Sequence, residues 1–504
     1  MRASLILRHL AFAVGYGALG VVTVALVAYV TYLRGQAELE PWHRAELASE
    51  FTADLPPGEV PDFAAYVARE DRVFRELHAE VYDRLSETHR RQVNRYHARS
   101  LADPESWPTN WNRTFEFVAA NPRGGVVLLH GLSDGPYSLR ALGQTLHARG
   151  FHVVGLRLPG HGTAPVGLAR ATTEDFVAAT RLAVRHVRGR VGSDRPLHLV
   201  GYSNGGALAV DYALARCEGE DLPAVDGLVL ISPAIGVSPA AALAAWQRRL
   251  SCLPGLEKAV WESIGAEYDP YKYNSFAVNA GDQVYRLTRR IEERIARLAP
   301  RGSGVTNFPP VLAFQSVVDA TVVPQAVVDR FLRRLAPDAR HELVLFDIAR
   351  FTEARPLMVA EPETFTRALV ADRDAPFTVT ALTPEDDGTR AVREVRRLAG
   401  EPSGHSRTLG FTWPAGIFSL SHVALPIPPD DPVYGDGSAR TPGRIQLGRV
   451  EARGEGGVLS VSPRSLLRLR YNPFYAYLEE RVIGFVTPPP DPGPDAGSAG
   501  VRTK

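Results

Sequence analysis

A chain of 504 residues with 57 Lys and Arg against 56 Asp and Glu carries a formal charge of +1, which argues against nucleic acid as the main partner. Its 45% hydrophobic content is enough for a large core, and its length implies one large domain with insertions or two or three domains. Two cysteines, Cys217 and Cys252, exclude a cysteine metal cluster and a disulfide framework. They leave open a single pairing in an exported domain, or two small buried apolar side chains.

Leu10 to Leu33 is uncharged over 24 residues, long enough to cross a bilayer as a helix. Arg2 and Arg8 precede it, and Arg34 and Arg44 follow it among acidic residues. The Lys/Arg asymmetry is weak, and acidic residues count for little in orientation; the expectation is an inner N-terminus with the remainder on the outer face. A cleaved signal peptide is the rival, but this apolar run exceeds the usual signal core. The expected organisation is an anchor over 1–35 and a helical stem over 36–112. In the stem, Phe63, Tyr66, Val67, Val73, Phe74, Leu77 and Val81 recur at helical spacing, which predicts a helix docked on the body.

Val126 to Leu129 reads as a buried strand ending in His130-Gly131-Leu132. A His-Gly turn after a strand and upstream of a serine motif is where an oxyanion loop belongs, with the Leu132 N–H as one donor. His130 is expected to be structural. A helix through Leu139, Leu142 and Leu146, a strand at 151–156 and the turn Leu158-Pro159-Gly160-His161-Gly162 follow. His161 is expected to order its loop.

Residues 197–200 then form a strand that runs into Gly201-Tyr202-Ser203-Asn204-Gly205 and on into an apolar helix. Strand, G-x-S-x-G and helix is the context of a nucleophile elbow. Ser203 is the expected nucleophile and the Asn204 N–H the second oxyanion donor. The bland alternative is a glycine-rich turn.

These three motifs, His130-Gly131, Gly160-His161-Gly162 and Gly201 to Gly206, resemble the α/β-hydrolase superfamily. They are most similar to its monoacylglycerol lipase, carboxylesterase and serine-aminopeptidase-like group. The resemblance covers 120–350, and 415–435 less closely. It implies an α/β fold: a doubly wound, mostly parallel sheet with a helical cap insertion, here behind a transmembrane helix. It also implies ester or amide hydrolysis through an acyl-enzyme.

On that frame, 113–233 is the first part of the core and 234–308 the cap. Trp246, Leu250, Leu253, Leu256, Val260, Trp261 and Ile264 either line an acyl pocket or pack the cap itself. Residues 309–349 are the second core part. There Val311 to Val318 is a strand with Asp319 at its end, positioned to orient a histidine. The group's histidine closely follows the next strand, Leu343 to Phe346, but none does here. His422, in Ser419-Leu420-Ser421-His422 between prolines, is the first choice, with His405 and His341 as alternatives. The choice implies an insertion at 350–415, containing a strand near 377–380 and a basic helix near 390–398. Residues 416–486 complete the core and 487–504 form a disordered tail.

The expected protein is therefore a membrane-anchored serine hydrolase of ester or lipid substrates, using Ser203, Asp319 and His422. No metal or cofactor is called for. A peptidase or amidase and a non-catalytic scaffold are the competing readings.

Overall fold

In the computed structural model, the described residues are 2–236, 256–300, 304–319, 321–350, 362–386, 388–451 and 467–487. Runs of Val, Leu and Ile too apolar for an exposed face form the middle of a ten-stranded sheet. Its strands are β1 (Phe115–Phe117), β2 (Gly125–Leu129), β3 (His152–Leu156), β4 (Leu197–Tyr202) and β5 (Gly227–Ile231). They continue with β6 (Val311–Ser316), β7 (Glu342–Phe346), β8 (Thr378–Pro384), β9 (Ala391–Arg397) and β10 (His405–Thr412).

The spatial order is β1-β3-β2-β4-β5-β6-β7-β8-β9-β10. From β3 to β8 all neighbours are parallel, while β1, β9 and β10 are antiparallel additions at the two edges. The chain passes from β2 outward to β3 and returns on the other side as β4. This reversal opens a crevice at the C-terminal ends of β2 and β4, where open α/β sheets place ligands.

Helices cover both faces. Val127 and Leu129 of β2 belong to one apolar cluster and Val126 and Leu128 to another, as the two-residue side-chain period requires. The helices that position the site are α1 (Arg2–Gly35), α2 (Phe63–Glu80), α3 (Arg140–Ala148), α4 (Thr173–Val191), α5 (Asn204–Cys217), α6 (Val278–Leu298) and α7 (Tyr475–Val486). Within α1, Phe12–Gly35 is long and apolar enough to span a membrane and is exposed except near its end, where Leu33 is buried, which fits a single-pass anchor or a signal sequence.

The stem docks on the body. Phe63, Tyr66, Val73, Phe74 and Leu77 of α2 are buried, and Glu50 and Glu70 reach the buried Arg157 guanidinium at 2.8 and 3.1 Å. The Tyr66 hydroxyl donates to the Arg157 carbonyl at 2.6 Å.

One expectation is overturned inside the insertion. Residues 391–397 form strand β9, not a basic helix. Its charged side chains are satisfied across the sheet: Glu394 accepts from the Tyr477 hydroxyl of α7, and Arg396 pairs with Glu342 of β7 at 3.0 Å. With ladder partners on both sides, the segment gains more from pairing than from its helix-forming arginines.

Candidate active site

Ser203 sits between β4 and α5 with φ 53° and ψ −116°, a strained backbone for a residue with a side chain. The surroundings hold it there. Its N–H donates to Ile231 O at 2.9 Å, and its carbonyl accepts from Gly206, Ala207 and Ala234. Two glycines make the turn possible through close approach: a Cβ on Gly205 would lie 1.9 Å from Leu129 O, and one on Gly201 would lie 2.3 Å from Gly205 O.

Asn204 opens α5, so its N–H is among the helix's first, unpaired donors, on the side where the helix favours negative charge. Leu132 lies in the turn after β2, followed by Ser133 at φ 63°. Among the described residues neither the Leu132 nor the Asn204 N–H is taken up by another group.

Asp319 ends the loop after β6, two strands along from β4, or about 10 Å at ordinary strand spacing. His422 Nδ1 lies 2.8 Å from Asp319 Oδ2. Its ring centroid is 5.3 Å from that of Tyr202, the neighbour of Ser203. The structure thus brings His422 together with Asp319 and sets the pair beside the elbow.

The other histidines are elsewhere. His405 starts exposed β10, and buried His341 precedes β7 at the far end of the sheet. His130 accepts from Leu158 N at Nε2, which leaves Nδ1 to donate to Gly131 O at 2.8 Å. Burial and the nearby His161 hold its pKa well below the ordinary range. His161, bonded to Pro159 O, is lowered by burial to about 4. Both order the crevice loops as neutral rings.

Burial pushes the Asp319 carboxyl up. The His422 charge and hydrogen bond, with the Val322 and Thr321 N–H groups, outweigh that and hold it below the usual carboxylate range. Gln315 donates to the same Oδ2 at 2.9 Å. The His422 loop is clamped by Ser316 Oγ on Leu420 O at 2.8 Å and by Ser421 Oγ on Leu469 O at 3.1 Å. Sequence reasoning did not find Gln315, Ser316 or Ser421, because a lone buried amide or hydroxyl leaves no pattern.

The distance in sequence between Asp319 and His422 also has a structural account. The Ala349 N–H, just past β7, donates to Phe418 O at 2.6 Å. The chain therefore departs after β7, lays down β8 to β10, and returns to the point it left. His422 follows that return.

A cavity of about 160 Å3 lies beside Tyr202, lined by Asp134, Tyr271, Lys272, Tyr434 and Arg470 among others. Buried Tyr271 stacks on Tyr137 at 3.9 Å, and its hydroxyl has no hydrogen-bond partner among the described residues. Of the cap residues that could either line an acyl pocket or pack the cap itself, Trp261, Val260 and Ile264 pack, in a cluster shared with Trp42 and Tyr96 of the stem. Trp246, Leu250, Leu253 and Cys252 lie outside the described residues.

Residues 120–350 match the family described as serine aminopeptidase, S33. The thermostable monoacylglycerol lipase of Bacillus sp. (strain H-257) is 32% identical over 126 residues, 25% of this chain and 47% of that protein. The chain thus spans about half the length of that curated relative. Among solved structures, the monoacylglycerol lipase of Paleococcus ferrophilus is similar at 22% identity, over 46% of this chain and 88% of that one, with a TM-score of 0.35. A soluble variant of monoglyceride lipase from Saccharomyces cerevisiae is similar at 18% identity, over 46% and 82%, also at 0.35.

Proposed function

We propose that this chain, whose residues 120–350 belong to the α/β-hydrolase superfamily and its lipase and esterase group, cleaves carboxylic esters of lipid or acylglycerol type through an acyl-enzyme. Ser203 Oγ attacks the acyl carbonyl while His422 accepts its proton. Asp319 fixes the ring with Nδ1 protonated and stabilises the imidazolium. The Leu132 and Asn204 N–H groups hold the oxyanion. His422 then protonates the leaving alcohol, and water reverses the sequence to release the acid.

The observation that carries this reading is the clamped His422–Asp319 pair beside a serine whose backbone is strained at a glycine-bounded elbow. The polar tyrosine-lined cavity suits the hydroxylated leaving group better than the acyl chain. The apolar N-terminal helix supports attachment to a membrane, and the reading places the catalytic body on its outer face. An anchored enzyme meets lipid substrates at high local concentration. The expected domain boundaries remain part of this reading, with the 36–112 stem built into the body.

An amidase or peptidase is the second reading, favoured by the serine aminopeptidase description of the matching family. Ser203→Ala is expected to abolish fluorophosphonate labelling and p-nitrophenyl ester hydrolysis. Labelling that persists would refute the assignment, and wild-type protein that never labels would favour a scaffold. Monoacylglycerols set against aminoacyl anilides separate ester from amide cleavage.

A further inference from the structure

Away from the crevice, at the β1 edge of the sheet, Glu116, His152 and His186 converge. Glu116 pairs with Val154 in the antiparallel β1–β3 ladder, so its side chain shares a face with that of His152. Helix α4 covers that face and supplies His186. The His152 and His186 Nε2 atoms lie 2.9 and 3.0 Å from the same Glu116 oxygen, and all three donor atoms fall within 4.8 Å of one another.

His152 is buried, and its Nε2 is turned to the same carboxylate oxygen that His186 reaches, so two imidazole nitrogens and one carboxylate converge on a single point. We infer that Glu116, His152 and His186 form a binding site for a late first-row divalent metal, with zinc as the physiological candidate.

Two imidazoles and one carboxylate are the donor set that suits zinc rather than magnesium or calcium. Donors about 2.1 Å from a tetrahedral zinc stand roughly 3.4 Å apart; the two His–Glu116 distances of 2.9 and 3.0 Å lie close to that span, and the His152–His186 separation is within 4.8 Å. Glu116 and His186 keep about a quarter of their side-chain surface in solvent, giving an entry path and room for water as a fourth ligand. His186 also stacks on Phe63 of the stem at 4.6 Å. The metal would thereby fasten an edge strand, a core strand, α4 and, through Phe63, the stem.

One cation opposes it. Arg190 Nε lies 3.4 Å from the same Glu116 oxygen on a side chain that is half exposed and free to swing outward. Charge repulsion from Arg190 lowers metal affinity, and its removal separates a metal site from a plain hydrogen-bonded cluster.

The test uses the detergent-solubilised full chain, stripped with a chelator and titrated with zinc against a chromophoric competitor. One zinc per chain at micromolar or lower Kd is expected, with thermal unfolding raised by several degrees at saturation and no effect of magnesium or calcium. Glu116→Gln and His186→Asn, both at partly exposed positions, are expected to weaken binding at least tenfold. Arg190→Ala is expected to tighten it. Absence of saturable zinc binding, binding that survives both ligand substitutions, or weakening by Arg190→Ala would each overturn the proposal. Ester hydrolysis by apo protein leaves it standing, since the site lies outside the catalytic group.

Discussion

Asp319 has two tasks at one oxygen: it receives His422 Nδ1 and the Gln315 amide on Oδ2, while Oδ1 takes the Thr321 and Val322 N–H groups. The carboxylate is fully engaged, so an amide in its place keeps the size but offers Nδ1 a donor where it needs an acceptor. Asp319→Asn is expected to retain the fold and to reduce ester turnover by about 10³- to 10⁴-fold. Circular dichroism and the rate of fluorophosphonate labelling check the two halves separately. A labelling rate within tenfold of wild type would remove Asp319 from the mechanism. At this scale the sequence marks Ser203 and Asp319 as candidates because each ends an apolar run, and strand ends leave a mark. It marks His422 by its proline-bounded Ser-Leu-Ser-His loop and by elimination, while the contact that places that loop joins Ala349 to Phe418 across residues with no local pattern.

At the scale of elements, α1 and the stem are adjacent in sequence but physically unlike. The membrane-length segment of α1 is almost wholly exposed, with only Leu33 near its end buried, whereas Glu50 and Glu70 of the stem neutralise a guanidinium that is 1% exposed. Removing 1–35 is therefore expected to release a folded body with unchanged turnover of a water-soluble ester. Removing 1–112 takes away both carboxylates that pair with Arg157 and uncovers the apolar face that α2 buries, and is expected to destabilise the body. Expression of both truncations, followed by gel filtration and p-nitrophenyl ester assays, checks this. An active, monodisperse 113–504 fragment would show the stem to be dispensable. The periodicity of α2 was readable because its apolar stripe faces one partner. Strand β9 was not, because its burial depends on charge partners supplied by β7 and α7, which lie far away in sequence. Strand β1 was missed for a simpler reason: three residues are too few for a period to emerge.

For the molecule as a whole, the stem and residues 265–275, within the expected cap, are joined around one buried acid, Glu267. Its carboxylate accepts from the Ser275 and Asn274 N–H groups, its carbonyl accepts from the Arg95 N–H of the stem, and Ser275 Oγ bonds stem His43 at 2.9 Å. Burial raises the Glu267 pKa from an ordinary 4.5 to about 7, although Arg95 and the hydrogen bonds pull it down. The folded chain therefore keeps a proton that the unfolded chain releases as pH rises through 4.5. Stability is lost between pH 4.5 and 7, by about 3 kcal/mol, and the loss is complete above that window. Buried His43, His161, His198 and His341, each lowered by burial to about 4, act with the opposite sign: they withhold protons in the fold, so their contribution is present at neutral pH and lost in acid. The net pH dependence mixes both, and the difference between wild type and Glu267→Gln isolates the acid. Denaturant midpoints of the two proteins are expected to diverge as pH rises from 5 to 8, with wild type losing stability relative to the variant. Parallel curves across that range would mean that Glu267 ionises as freely in the fold as in the open chain, and that the junction between stem and cap is wetter than its hydrogen bonds imply.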